Sequence, residues 1–136
     1  MKSTRRSISA ISEGSQYVTR LSTRGLEVIA DEPADQGGTD LGMRPHELLL
    51  GGLASCTAIT LRMYATRKGW DIMPFKVQVH MDRIQDGAVV RSQIQVELEL
   101  PAHLSMEQRE RLKDIASKCP VHRTLMGTMD IGITSD

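Results

Sequence analysis

The sequence predicts an α+β fold in which antiparallel sheets are wrapped around a long buried central helix. Polar and apolar residues alternate near the start of the chain and again over residues 75–100, as they do in half-buried strands. Residues 43–70 are instead apolar or small with little charge in their middle, which is typical of a buried helix. At 136 residues the chain is long enough for one core, so we predict a single domain over residues 1–136.

Three short strands are predicted before the helix. Alternation in residues 6–12 and 16–22, with a glycine-containing turn between them, predicts a hairpin. Residues 26–30 form the third strand, and the glycine-containing residues 31–42 form a loop.

The central helix is predicted over residues 43–70, with Pro45 in its first turn, where a missing N–H costs nothing. Its uncharged run between Glu47 and Arg62 is about 14 residues long. That is shorter than the ~18–20 residues needed to cross a bilayer. We therefore expect no membrane association.

After the helix, residues 75–83 and 89–100 predict two strands joined by an Asp86-Gly87 turn. The second of these strands is long, so we expect an edge or a bulge in it. A helix over residues 106–118 is predicted next, because Ser105 and Gln108 have the spacing of a capping box.

The last part of the chain combines a second helix start with a short strand. Pro120 is expected to begin a short helix with Cys119 as its N-cap. Residues 129–133 are expected to form a final strand, which completes a β-β-β-α-β-β-α-α-β order.

Composition excludes several classes of function. Lys plus Arg and Asp plus Glu are 17 each, so a net charge of zero argues against binding to nucleic acid or to an acidic membrane surface. No apolar run follows the basic N-terminus, so we expect no signal peptide and a cytoplasmic, reducing location. Two cysteines in that setting are catalytic, redox-active or inert more often than they form a structural disulfide.

Cys56 lies in the middle of the predicted helix, where its simplest role is that of a small core residue. To act as a thiolate it needs a positive charge from elsewhere in the fold. Arg62 is about 240° round the helix from Cys56 and points away. Arg20 and Arg24, on or beside an N-terminal strand, are the candidate donors, although a surface role is commoner for any single arginine.

Cys119 has better local reasons to react. A helix N-terminus lowers the pKa of a thiol, and His122 and Arg123 lie within one turn. The alternative is a capping residue without chemistry.

Metal and hydrolase chemistry have weaker signals, and we predict no metal and no cofactor. Cys119-x-x-His122 has a ligand-like spacing that Cys56, His46 and His80 could complete, but one such pair is common by chance. A Cys–His hydrolase would need a nucleophile elbow or an oxyanion loop, and the sequence contains neither pattern.

Five motifs, in the family's order, make the chain resemble the OsmC/Ohr family of thiol peroxidases (osmotically inducible protein C and organic hydroperoxide resistance protein). They are Ala-Asp-Glu-Pro at 30–33, Gly-Gly-Thr-Asp at 37–40, Pro-His-Glu-Leu-Leu at 45–49, Leu-Ala-Ser-Cys-Thr at 53–57 and Cys-Pro-Val-His-Arg-Thr-Leu at 119–125. The first and the last of these five motifs resemble the general OsmC-like branch of the family more closely than the Ohr branch.

This resemblance implies an intertwined homodimer with its central helices buried between two curved sheets. It also implies that Cys56 attacks an organic hydroperoxide and becomes a sulfenic acid, and that Cys119 then forms a disulfide with it. A dithiol reductant of the lipoyl type would restore both thiols, along the reversible part of the cysteine oxidation ladder.

The family's site also holds its thiolate with an arginine and a glutamate. In Ohr-type members the glutamate follows the proline directly, where this chain has His46, and Glu47 comes one position later. No arginine stands near Ser15, where the Ohr-type arginine lies, so Arg24 is our substitute and Arg20 the second choice.

The resulting hypothesis is a peroxidase for alkyl or lipid hydroperoxides, with catalytic residues Cys56, Cys119, Arg24 and Glu47. The pocket is expected to be apolar and lined by Leu49, Leu53, Met63 and residues across the dimer, which favours such substrates over hydrogen peroxide. The alternative is a stress-response protein without enzymatic activity that binds a small apolar ligand in that pocket.

Overall fold

A computed structural model describes residues 1–136 as two compact units, Met1–Leu49 and Leu50–Asp136. The elements in chain order are β1 (Ser9–Ile11), β2 (Thr19–Thr23), β3 (Leu26–Ala30), a 3-10 turn (Ala34–Gln36), α1 (Pro45–Lys68), β4 (Lys76–Asp86), β5 (Val89–Glu99), α2 (Met106–Ala116) and α3 (Pro120–Met126). Both sheets are antiparallel, which confirms the α+β class with a long helix between two sheet-forming segments. The single domain stays a prediction.

The first unit contains a three-stranded sheet in the order β1-β2-β3. The predicted β3 matches the structure, whereas β1 covers only Ser9–Ile11 and β2 begins at Thr19, so the predicted residues 6–12 and 16–22 were too long or shifted. Gln16 has a positive φ of 52°, which belongs to a turn and prevents β2 from starting there.

The loop after β3 is organised by the side chain of Asp31, which is buried. Its carboxylate accepts hydrogen bonds from the backbone N–H groups of Glu32, Thr39 and Leu41 and from the Thr39 hydroxyl, over distances of 2.6–3.2 Å. These bonds lower the pKa of Asp31, with the Thr39 hydroxyl as the largest cause. The loop is therefore tied to a charged carboxylate.

Helix α1 runs from Pro45 to Lys68, two residues shorter at each end than the predicted 43–70, and Pro45 lies in its first turn as predicted. Gly69 follows with a φ of 70°, and the N–H of Trp70 reaches back to the carbonyl of Ala65 at 2.9 Å, which is a common helix stop. At 24 residues, α1 is long and apolar enough to span a membrane by length and composition alone. The core helix of a soluble protein meets the same two criteria, so this is weak evidence.

The prediction of a helix buried all round holds for one face of α1 in the single chain. Its buried residues form one stripe: Leu53, Thr57, Leu61, Tyr64 and Ala65. Ile59 and Met63, on another face, are 55% and 63% exposed. The cause is that the core of the second unit, which includes Leu112 and Ile115 of α2, covers the helix on one side only.

The β4–β5 hairpin pairs without interruption from Lys76↔Glu99 to Asp86↔Val89. It closes at Gly87, whose φ is 62°, so the predicted turn is confirmed. β5 is an edge strand, as expected, but the ladder contains no bulge. β4 runs three residues beyond the predicted end at Arg83, because the partner strand continues to supply hydrogen bonds there.

The capping box at Ser105 and Gln108 is confirmed, and both of its hydrogen bonds are present. α2 ends at Ala116 rather than at residue 118. The predicted last strand over residues 129–133 is wrong for this chain, because those residues are exposed and pair with no other strand. Alternation alone could not supply a partner strand.

Candidate functional site

The second unit brings the two cysteines to the start of helix α3. Cys56 lies in the middle of α1, and Cys119 is the residue immediately before α3. The N–H of Val121 donates to Cys56 Sγ at 3.5 Å, and the N–H of His122 donates to Cys119 Sγ at 3.2 Å. Successive backbone amides in the first turn of α3 therefore hold one sulfur each.

The N-cap role of Cys119 is confirmed, since its sulfur accepts the His122 N–H and Pro120 is the first helical residue. A free N–H at a helix start is normally satisfied by a side-chain oxygen. Here sulfur takes that place, which brings the thiol under the positive end of the α3 backbone.

The two thiols differ in accessibility. Cys119 is completely buried, with 0% of its surface exposed, whereas Cys56 is only half-buried. Both are free thiols in this structure. A small molecule arriving from solvent can therefore contact Cys56, while Cys119 can react only with a group already inside the protein.

Burial raises the pKa of the Cys56 thiol, and the neighbouring Cys119 thiol adds to that rise. The Val121 N–H and the hydroxyl of Thr60 oppose it. None of the groups that shift this pKa is a cation. Cys56 therefore remains a neutral thiol near neutral pH unless a positive charge reaches it.

Thr57 and Val121 contact the cysteines, and sequence reasoning did not single out either residue. Thr57 is 1% exposed, and its Oγ1 lies 3.9 Å from Cys119 Sγ. The sequence shows a hydroxyl-bearing residue next to Cys56 and four residues after Leu53. It does not show that this residue contacts Cys119, which is 62 positions away.

Arg24 lies in the turn between β2 and β3, with a positive φ of 53°. Its side chain is exposed, and it forms no hydrogen bond or ion pair within the chain. Arg20 is on β2, where its guanidinium pairs with Glu13 and, at 3.1 Å, with Glu27. Of the two candidate donors, Arg24 is thus the one whose charge is not already engaged.

Glu47 lies in the first turn of α1 and accepts the N–H of Arg44 at 2.8 Å. It acts as a helix cap in this structure, since it satisfies a donor just before the helix. His46 is exposed beside it. The catalytic roles of Arg24 and Glu47 stay predictions.

The side chains considered for a metal site are not assembled into one. His80 pairs with Glu97 on the β4–β5 hairpin at 3.6 Å. No three His, Cys, Asp or Glu side chains of the chain are placed to hold a metal ion.

The predicted pocket residues have different surroundings. Leu53 is buried, with 3% of its surface exposed, and Leu49 is 44% exposed. Met63 lines an open groove of about 800 Å³ with Ile59 of α1 and Ile115 of α2. The groove is apolar, as expected for the pocket, but Cys56 does not line it.

The family model for OsmC-like proteins matches residues 37–134 of the chain. That range contains both cysteines, α1 and the β4–β5 hairpin. A comparison with curated protein sequences gives no match.

Several solved structures are similar to this one. An OsmC-like protein of Mycoplasma pneumoniae has a TM-score of 0.77 at 22% identity, with 93% of this chain and 90% of that chain covered. The organic hydroperoxide resistance protein OhrB of Bacillus subtilis has a TM-score of 0.65 at 18% identity, with coverages of 91% and 92%. The organic hydroperoxide resistance protein OsmC of Legionella pneumophila has a TM-score of 0.69 at 16% identity, with coverages of 92% and 93%. At these identities the likeness establishes the fold.

Proposed function

Because the chain belongs to the OsmC-like protein family, we propose that it is a thiol-dependent peroxidase that reduces alkyl or lipid hydroperoxides to alcohols in oxidative stress defence. Similar folds carry the name organic hydroperoxide resistance protein. The observation that carries the proposal is the pair of sulfurs held by neighbouring amides at the start of α3, one accessible and one buried.

The accessible thiol, Cys56, is the proposed nucleophile. Its thiolate attacks the distal oxygen of the hydroperoxide, the O–O bond breaks, and the leaving alkoxide takes a proton to become the alcohol. The sulfur is left as a sulfenic acid. Burial supports this order of events, because a peroxide cannot reach Cys119 first.

Cys119 is the proposed resolving residue. Its sulfur attacks the sulfenic sulfur of Cys56, an S–S bond forms, and the hydroxyl group leaves as water. A dithiol reductant of the lipoyl type then reduces the disulfide to two thiols and is itself oxidised to a cyclic disulfide. The cycle needs no cofactor bound to the protein, and it suits a cytoplasmic, reducing compartment.

Activation of Cys56 requires a cation, since the surroundings of the thiol raise its pKa. Arg24 is the proposed source, because its guanidinium is exposed and unpaired. Glu47 is proposed to orient that guanidinium, in addition to its contact with Arg44. An arginine beside a thiol lowers its pKa by favouring the charged form.

We also propose that the active form is a homodimer. α1 leaves an apolar face exposed in the single chain, where Ile59 and Met63 are more than half exposed. Soluble monomers rarely leave such contiguous apolar surface uncovered.

The test is a count of free thiols and an intact mass before and after one equivalent of cumene hydroperoxide, without reductant. We expect both thiols to disappear and the mass to fall by two hydrogens, with peroxide consumption lost in Cys56→Ser. If neither thiol changes, the peroxidase proposal is wrong. The alternative, a binding protein whose ligand occupies the apolar groove beside Met63, would then be preferred.

A further inference from the structure

Cys119, the proposed resolving cysteine, has a second polar neighbour, Thr57, which has no role in the proposed cycle. Thr57 directly follows Cys56 on α1 and is 1% exposed. Its hydroxyl donates to the carbonyl of Leu53 at 2.8 Å, and the same oxygen lies 3.9 Å from Cys119 Sγ. A hydroxyl has one proton, so it can donate fully to only one of these two acceptors at a time.

The preferred acceptor depends on the charge of Cys119. A neutral thiol is a weak acceptor, so the hydroxyl proton stays with the Leu53 carbonyl. A thiolate at the same position is buried and needs hydrogen bonds to offset the loss of water. The His122 N–H supplies one at 3.2 Å, and the Thr57 hydroxyl is the other donor in contact.

Cys119 carries a negative charge at a defined step of the cycle. Because Cys119 is fully buried, a dithiol reductant reaches the disulfide at the Cys56 sulfur. One sulfur of the dithiol bonds to the Cys56 sulfur as the Cys56–Cys119 bond breaks, and Cys119 leaves as a thiolate that later takes up a proton. The second sulfur of the dithiol then displaces Cys56, and the reductant leaves as a cyclic disulfide. Thiol–disulfide exchange is faster when the leaving thiol has a lower pKa.

We infer that Thr57 is a positioning residue for the resolving cysteine, whose hydroxyl turns from the Leu53 carbonyl to the Cys119 sulfur when that sulfur becomes a thiolate. The inference rests on the proposed function. In this inference Thr57 stabilises the leaving thiolate of Cys119 during disulfide reduction. Thr57 takes no part in the attack of Cys56 on peroxide.

Other charged or titratable groups near Cys119 are few. Cys56 on α1 is the neighbouring thiol. His122 lines a groove with residues of β5 and α2, and it contacts Cys119 through its backbone N–H. Arg123, the next residue of α3, is exposed. Lys118 precedes Cys119, and its ammonium pairs with Asp114 at 3.4 Å. Thr57 is therefore the side chain best placed to respond to charge on the sulfur.

The experiment compares Thr57→Val, which removes the hydroxyl at similar volume, with Thr57→Ser, which retains it. Thr66→Val, a substitution at an exposed threonine of α1, is the matched control. The oxidised proteins are mixed with dihydrolipoamide, and the rate of disulfide reduction is measured by quenching with an alkylating agent and mass spectrometry. We expect a roughly tenfold slower reduction in Thr57→Val, near wild-type rates in Thr57→Ser and Thr66→Val, and an unchanged rate of sulfenic acid formation.

A second readout does not depend on peroxide chemistry. In a Cys56→Ser background, Cys119 is the only thiol, and its thiolate absorbance is measured at a series of alkaline pH values. We expect Thr57→Val to show less thiolate absorbance than its Thr57 parent at the same pH and Thr57→Ser to match that parent.

Equal thiolate absorbance and equal reduction rates with and without the Thr57→Val substitution would overturn the inference, as would a Thr57→Ser variant as slow as Thr57→Val. If Thr57→Val does not fold, Thr57→Ala takes its place with the same two outcomes. Failure of the proposed function is a different result, in which the wild-type protein forms no disulfide with peroxide but the thiolate absorbance of Cys119 still depends on the Thr57 hydroxyl.

Discussion

The backbone N–H of Val121 donates to the sulfur of Cys56 at 3.5 Å, although the two residues are 65 positions apart in the chain. The next amide, that of His122, holds Cys119 in the same way. A single turn of α3 thus fixes both thiols. Rotation of α3 or loss of its first turn would disturb both at once, so the site depends on a short helix as much as on the long one.

Removal of the resolving thiol separates the two chemical steps. Cys119→Ala should still reduce one equivalent of hydroperoxide per chain, because Cys56 keeps its accessibility. Further peroxide should then convert the trapped sulfenic acid to sulfinic acid. Intact-mass spectra after excess cumene hydroperoxide check this, and absence of the sulfinic product at Cys56 would contradict the resolving role.

Loss of the Arg24 charge should move the pH dependence of peroxide reduction. The rate follows the thiolate fraction of Cys56, which rises with pH and reaches its plateau above the thiol pKa. Burial raises that pKa, and in the proposed site the Arg24 guanidinium opposes this rise. Arg24→Met should therefore move the midpoint to higher pH and slow the reaction at neutral pH about tenfold. Stopped-flow rates between pH 5 and 10 measure the shift.

Arg20→Met is the matched control, because Arg20 is engaged by Glu13 and Glu27 and should leave the midpoint in place. A shift in the control and none in Arg24→Met would show that Arg20 supplies the charge.

Asp31 should make the stability of the protein depend on acidic pH. Its pKa is lowered by the Thr39 hydroxyl and by backbone amides. The stabilisation is therefore present above the unfolded-state pKa of about 3.9 and is lost as pH falls through the lower folded-state value. Asp31→Asn should lower the midpoint of thermal unfolding at pH 7 and flatten its decline below pH 4.

The control for this residue is Asp35→Asn, in the exposed 3-10 turn of the same loop. Thermal unfolding of both variants from pH 2.5 to 7 distinguishes them. Equal losses at pH 7 would mean that the Asp31 hydrogen bonds add nothing to stability.

The exposed apolar face of α1 should be required for self-association. Ile59→Lys places a charge on a side chain that is 55% exposed in the single chain, so it should weaken a dimer formed through this face. Sedimentation velocity over a range of concentrations measures the change. The control is Val89→Lys, at a residue of the β4–β5 hairpin that is 68% exposed. If Val89→Lys dissociates the dimer and Ile59→Lys does not, the interface does not include this face of α1.

Leu61, two positions from Ile59, should behave differently. It is completely buried against the core that includes Leu112. Leu61→Ala removes buried methyl groups and leaves a cavity, so the free energy of unfolding should fall by about 2–5 kcal/mol. Urea unfolding at a fixed protein concentration measures it, and a loss below 1 kcal/mol would contradict the packing described for this helix.

Most elements could be predicted because their signals are local. The capping box at Ser105, the turn at Gly87 and the place of Pro45 in the first turn of α1 each depend on residues within a few positions of one another. Short-range hydrogen bonds and backbone preferences decide such features, so these features can be predicted from the local sequence. The strand over residues 129–133 failed for the opposite reason, since a strand exists only where a partner supplies its hydrogen bonds.

For the site, the sequence by itself determined the chemistry available: two cysteines, one in a helix and one before a proline. The tertiary structure alone decided that Cys119 is buried and Cys56 accessible, and that Thr57 contacts the buried sulfur. Burial and hydrogen bonds between distant residues depend on how α1 and α3 pack together. Burial and these contacts are properties of the packed chain, and they cannot be predicted from any single stretch of the sequence.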